Sequence, residues 1–287
     1  MAAGQVVESR RMTSSGSYDS NDLGALFAFS LFLALGATIR GRPLSRVVSG
    51  VSAAILLWAL LMTGSRGGLL ALGAGCLTFV LGFRPRAQFA ILLTLVLATP
   101  VAWRFAPPVM RERASTLVSL DDDYNTTSNS GRVYLWKRGV LFAVQNPVVG
   151  VGAGGFSTKL GRDFSEQGTR GAWHTAHNTY VQVFAELGVP GGVVLMALLY
   201  SCFSVAARYW RWTKAVHRPE YLASVLAYLT SIAFLSHGYS YLLFGIIGLS
   251  ILFSSPEELS RRKKSSAHVL AGGRRGATAY RLVAMGR

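Results

Sequence analysis

"WHTAHNTYVQVFAELGVPGG" (residues 173–192) sets two histidines and an asparagine at the threshold of a long apolar run. Ionisable side chains are costly in hydrocarbon, so this stretch reads as the place where an outer segment enters the membrane. The rest of the chain supports that reading. Of its 287 residues 51% are hydrophobic and only 15% are charged, and the charges fall in short clusters between long uncharged runs. Hydrocarbon requires such segregation. About 20 apolar residues span a bilayer, and candidate runs lie at 23–39, 47–63, 67–83, 88–103, 189–207, 221–235 and 239–253. The last two are short enough to be a re-entrant pair or tilted partners. The first follows a polar stretch and has no small-residue cleavage site, unlike a signal peptide.

The net charge of +16 invites a nucleic-acid reading, which its distribution argues against. Lys and Arg gather at Arg40/Arg42/Arg46, Arg84/Arg86, Arg208/Arg211/Lys214/Arg218 and Arg261 to Lys264. Counted through the crossings, all four clusters share one side, which the positive-inside rule makes cytoplasmic. The expected organisation is an outer-side segment (1–21), four transmembrane helices (22–103), a periplasmic loop (104–176), further transmembrane helices (177–254) and a basic cytoplasmic tail (255–287). Membrane lipid is the tail's expected contact, because a polybasic segment is drawn to anionic headgroups. The fold class is all-α, a multi-pass helical bundle with a long helical periplasmic loop. Cys76 and Cys202 both fall within spans and read as small packing residues.

A connection as long as this loop is usually functional or disordered. Pro107 and Pro108 interrupt its start, and a polar stretch follows. "RVYLWKRGVLFAVQN" then places Val133, Leu135, Trp136, Val140, Leu141 and Val144 at helical spacing, as in an amphipathic helix on the membrane surface. "GVGAGGF" (150–156) formally matches G-x-G-x-x-G, but it has no βαβ context and no acidic residue at the required distance. It reads instead as a turn, with Gly152 at its centre, that lets the backbone approach something closely. Asp121, Asp122 and Asp123 are consecutive carboxylates of a solvated loop rather than a calcium site, and no Cys/His cluster has zinc spacing. No metal and no cofactor is expected.

Three outer-side residues carry chemistry. Arg66, in "MTGSRGGLL", sits in a minimal connection between two spans, where a guanidinium either snorkels or meets an anion. Arg132 opens the loop helix, against the helix dipole; it is either a solvated arginine or one favoured by a ligand. His177, with His174 one turn earlier, is either a structural donor or a general base beside a hydroxyl. The two histidines lack an evident third metal ligand. Asn178 is placed to cap the following helix. Glu186 falls near the opposite helix face from His177 and is expected to pair inside the bundle. Two arginines and a histidine at an outer membrane face describe a site for a lipid-borne phosphate. Without ATP outside the cell, the donor must carry its own leaving group, as a polyprenyl diphosphate sugar does.

"TGSRGGLLAL" (63–72), "GRVYLWKRGVLFAVQNPVVGVGAGGF" (131–156) and "HNTYVQVFAELGVPGG" (177–192) resemble the signature blocks of the O-antigen ligase family, which includes Wzy-type polymerases. "SGSYDSNDLGALFAFSLFLAL" (15–35) resembles a segment entering an earlier span. The related domain would cover about 50–200. The resemblance implies a GT-C-like, metal-independent inverting glycosyltransferase of the bacterial inner membrane. It would move a glycan from undecaprenyl diphosphate to a hydroxyl of a glycan or lipid A-core acceptor on the periplasmic face. Arg66 and Arg132 would hold the diphosphate and His177 would deprotonate the acceptor, with Asn178, Glu186 and Gly152 in support. Family members have more spans than this chain, so a missing upstream half or a partner polypeptide is expected. The competing readings are a transporter, which the nearly uncharged spans argue against, and an inactive scaffold related to the ligases.

Overall fold

The computed structural model describes residues 18–105, 111, 131–166, 168, 173–212 and 219–254. The aspartates 121–123, the Pro107–Pro108 break, most of the 1–21 segment and the basic tail lie outside these residues. The described chain is helical, with no strand. Its helices are α1 (Ser20–Arg40), α2 (Pro43–Thr63), α3 (Arg66–Leu81), α4 (Pro85–Phe105), α5 (Arg132–Gln145), α6 (Phe156–Glu166), α7 (Thr179–Trp212), α8 (Pro219–Ile232) and α9 (Tyr241–Ser254).

Three of them are long and apolar enough to cross a membrane: α1, α2 and Thr179–Arg208 of α7. The apolar parts of α3 and α9 are shorter. α8, expected at 221–235, is only 14 residues long but is the most enclosed helix, packed against α1, α3 and α7. Small residues permit this closeness. A Cβ at Gly75 would collide with Phe32, and one at Gly36 with Glu220. With little hydrophobic drive between helices in lipid, such close contact is what holds them together. Phe29 of α1 meets Tyr228 of α8 edge to face, their centroids 6.4 Å apart. Cys202 packs into this core and Cys76 borders a second one around Phe32 and Ala71.

The chain ends of the helices sort into two sets. At one, the basic end, Arg40 pairs with Glu220 and Gly82 lies against Pro219. At the other, the histidine end, Gly24 of α1 meets Ser65 before α3, Gly67 meets Phe234 after α8, and Trp136 of α5 stacks on Phe234 at 6.1 Å.

α5 does not lie on a surface with all its apolar residues alike. Leu135, Gly139 and Phe142 are buried, and Phe142, Phe156, Leu160 and Ala185 form a third core with the start of α7. Gly139 lets Val181 of α7 approach so closely that a Cβ would sit 2.3 Å from it. Val140, Leu141 and Val144 stay exposed on the remaining face. The expected amphipathic helix therefore uses one apolar edge for protein and leaves another uncovered.

α7 begins at Thr179, ten residues before the apolar run predicted for it, and bends at Gly188 (φ 66°, ψ −168°). Pro190 has no N–H for the Glu186 carbonyl four residues back. Gly152 provides one, at 3.0 Å. Val189 N–H turns to the Pro147 carbonyl (2.7 Å), and Val151 N–H takes over the Ala185 carbonyl (2.9 Å). The bend is thus stitched to the "GVGAGGF" turn, and both sides need glycine. A Cβ at Gly188 would come within 2.7 Å of the Pro147 oxygen, and one at Gly150 (φ 65°) within 2.3 Å of the Glu186 backbone.

Candidate active site

The helices α1, α3, α5 and α7, like α9, begin at the histidine end, and the first four starts are each built differently. At α1, Asp19 accepts from the N–H groups of Asn21 (2.7 Å) and Asp22 (2.9 Å), while Asp22 accepts from Asp19 N–H (2.9 Å). This reciprocal cap places two carboxylates where the helix dipole favours them. At α3, Ser65 caps Gly68 N–H at 3.1 Å, and Arg66 is the first helical residue. At α5, Gly131 supplies no side-chain cap, and Arg132 is the first helical residue. At α7, Asn178 Oδ1 accepts from Val181 N–H at 3.0 Å, the cap its sequence position suggests.

Arg132 lines a narrow cleft together with Ser65, Gly67, Gly68, Asn21 and Phe234. The start of α5 is therefore set against the start of α3, although 66 residues separate the two arginines. One turn beyond Arg132, the indole Nε1 of Trp136 is buried with no hydrogen-bond partner among the described residues. Two helix N-termini and a guanidinium meet at the cleft, a combination that favours an anion. Arg66 flanks the same turn but does not line the cleft itself.

His177 is half-buried and adopts φ 47°, a left-handed conformation unusual for a non-glycine residue. Its N–H donates to Ser236 Oγ at 2.9 Å, which ties it to the connection after α8. Burial pushes its proton affinity down and the Arg132 charge pushes it down further; His174 acts in the same direction, while Asp19 and Asp22 pull it up. His177, Arg132 and the start of α1 thus lie within electrostatic reach of one another. A half-buried imidazole of lowered affinity is neutral near pH 7.

Glu186 is buried. Its carboxylate accepts from the N–H groups of Gly154 (3.1 Å) and Phe156 (3.3 Å), so it closes the glycine turn and the start of α6, partners that were not expected. The freed N–H groups at a helix start are the strongest donors nearby, and sequence spacing cannot reveal them. Tyr239, after α8, sits beside the same carboxylate; burial and then that contact push its hydroxyl up to about 12. Gly152 is exposed within the turn, its N–H spent on the Glu186 carbonyl.

Sequence reasoning missed a second histidine. His237 is buried, with Nε2 2.8 Å from Asp22 and Nδ1 3.1 Å from the Tyr228 hydroxyl. The polar "SHGYS" between two short apolar runs was the available signal. Among the described residues no three His, Cys, Asp or Glu side chains are grouped to hold a metal.

A model of the family described as O-antigen ligase matches residues 51–196, half of the chain. The chain belongs to the O-antigen ligase family. The matched span runs from α2 to the apolar part of α7 and so contains Arg66, Arg132, His177 and the glycine turn. The exopolysaccharide production protein ExoQ of Rhizobium meliloti (strain 1021) is 36% identical over 81 residues, 26% of this chain and 18% of that protein. This O-antigen ligase family member is thus a membrane protein of polysaccharide biosynthesis, whose aligned stretch represents a minor part of that relative's length.

Proposed function

We propose that this chain transfers a glycan from undecaprenyl diphosphate to an acceptor hydroxyl at the periplasmic face of the bacterial inner membrane. The observation that carries the reading is the meeting, at one end of the bundle, of Arg132, the Arg66 turn and a half-buried His177. The basic clusters at the opposite end support the orientation.

In this reading Arg66 and Arg132 grip the diphosphate, and their guanidinium forks with two helix N-termini carry the charge that a metal would otherwise balance. His177 takes the proton of the acceptor hydroxyl as that oxygen bonds to the anomeric carbon. The bond from this carbon to the phosphate oxygen breaks on the far side, its electron pair leaving with undecaprenyl diphosphate, so configuration inverts. Asn178 holds the start of α7 and with it His177. Glu186 and Gly152 hold the bend below.

Similarity to an exopolysaccharide production protein favours a growing polysaccharide over lipid A-core as the acceptor. Two assays test the reading. Purified protein in nanodiscs with a polyprenyl diphosphate glycan should transfer it, and the His177→Ala variant should insert normally yet lose nearly all transfer. Full transfer by that variant refutes the base assignment. In cells, loss of the protein should shorten polysaccharide chains; a missing lipid A cap with normal chain length would identify a ligase instead.

A further inference from the structure

His237 takes part in no step above, yet its side chain is fully engaged. It lies between α8 and α9, 3% exposed, with both ring nitrogens engaged. An ionised carboxylate only accepts, so Nε2 donates to Asp22 and Nδ1 accepts from Tyr228. Neither nitrogen is left for a substrate, which separates His237 from the half-buried His177. Its backbone N–H donates to Thr179 Oγ1 at 2.9 Å, and that hydroxyl donates to the Leu235 carbonyl at 2.7 Å. The adjacent Ser236 receives the His177 N–H. Asp22 uses its other oxygen for the Asp19 N–H. His237 therefore ties the first turn of α1 to α8 through its ring, and to the first turn of α7 through its backbone N–H.

We propose that the Asp19–Asp22 cap, locked in place by His237 and Tyr228, is a positioning device whose fixed negative charge stabilises His177 once it has taken the acceptor's proton. The proposal rests on the reading of His177 as base. The proton leaves the acceptor oxygen for the imidazole, and the negative charge leaves with the diphosphate. The resulting imidazolium stands near Arg132 and His174, the one a like charge and the other a potential one. Among the described residues the negative groups within electrostatic reach of it are Asp19, the N-cap of α1, and Asp22 in its first turn. Asp19 has the larger influence, and Asp22 is the one His237 anchors. A carboxylate held rigidly by hydrogen bonds acts without having to reorganise when the charge appears.

The test is an NMR titration of histidine-labelled full-length protein in nanodiscs, with the His177 signal identified by its absence in His177→Asn. Asp19→Asn and Asp22→Asn should each move the His177 titration to lower pH. The acid limb of the transfer rate should move with it, and kcat should fall while KM for the lipid donor stays unchanged. His237→Ala should reproduce the Asp22→Asn shift, and His237→Gln, whose amide can still donate to Asp22, should restore most of it. Asp19 is exposed, so its variant reports even if a change at His237 prevents folding. An unmoved His177 titration in folded Asp19→Asn, or a lowered kcat with no pH shift, overturns the proposal. Full transfer by His177→Ala would instead remove the base assignment on which it rests, a result the titration alone cannot produce.

Discussion

At the basic end Arg40 closes the last turn of α1 and pairs with Glu220 in the first turn of α8, whereas at the histidine end Arg66 and Arg132 open α3 and α5. The first arrangement satisfies both helix dipoles with the protein's own charges: a cation at a C-terminus and a carboxylate at an N-terminus. The second sets cations where the helix ends are already positive. The same residue type thus closes a helix at one end of the bundle and opens helices at the other, the end where the proposed donor would bind.

The sharpest challenge to that contrast is His177→Ala, expected to lower transfer by about 10²–10⁴-fold, the usual contribution of a positioned base. In the proposed mechanism the neutral imidazole is the active form, and burial and Arg132 lower its proton affinity. Transfer should therefore be lost only as pH falls through a value below the ordinary histidine pKa of about 6.5. A rate that instead fell away above neutral pH would contradict a neutral base.

Arg66→Lys and Arg132→Lys follow, each expected to weaken donor binding about tenfold, because an ammonium cannot replace a bidentate fork. Equal losses in Arg40→Lys, read as KM for the lipid donor, would erase the distinction between the two ends. Gly188→Ala should destabilise the protein by about 1–3 kcal/mol through left-handed backbone alone, and further through overlap with Pro147. Thermal unfolding in detergent measures this. Glu186→Gln should cost about 2 kcal/mol by weakening charge-assisted bonds to Gly154 and Phe156. Arg40→Lys should be the mildest, within about 1 kcal/mol, since the pair remains partly exposed and an ammonium keeps the charge.

Apolar run length and cap chemistry are local properties, so the all-helical membrane class and the Asn178 cap could be read along the chain. So could a glycine turn made for close approach, though not that α7 is what approaches it. Tertiary structure alone decided that Glu186 serves the backbone of a turn 30 residues away. It also decided that α8, weak as a span, is the enclosed centre of the bundle. Asp22 and His237 meet across 215 residues. Their pairing leaves no mark on composition or periodicity, because it depends on which helix ends the packing of small residues brings together.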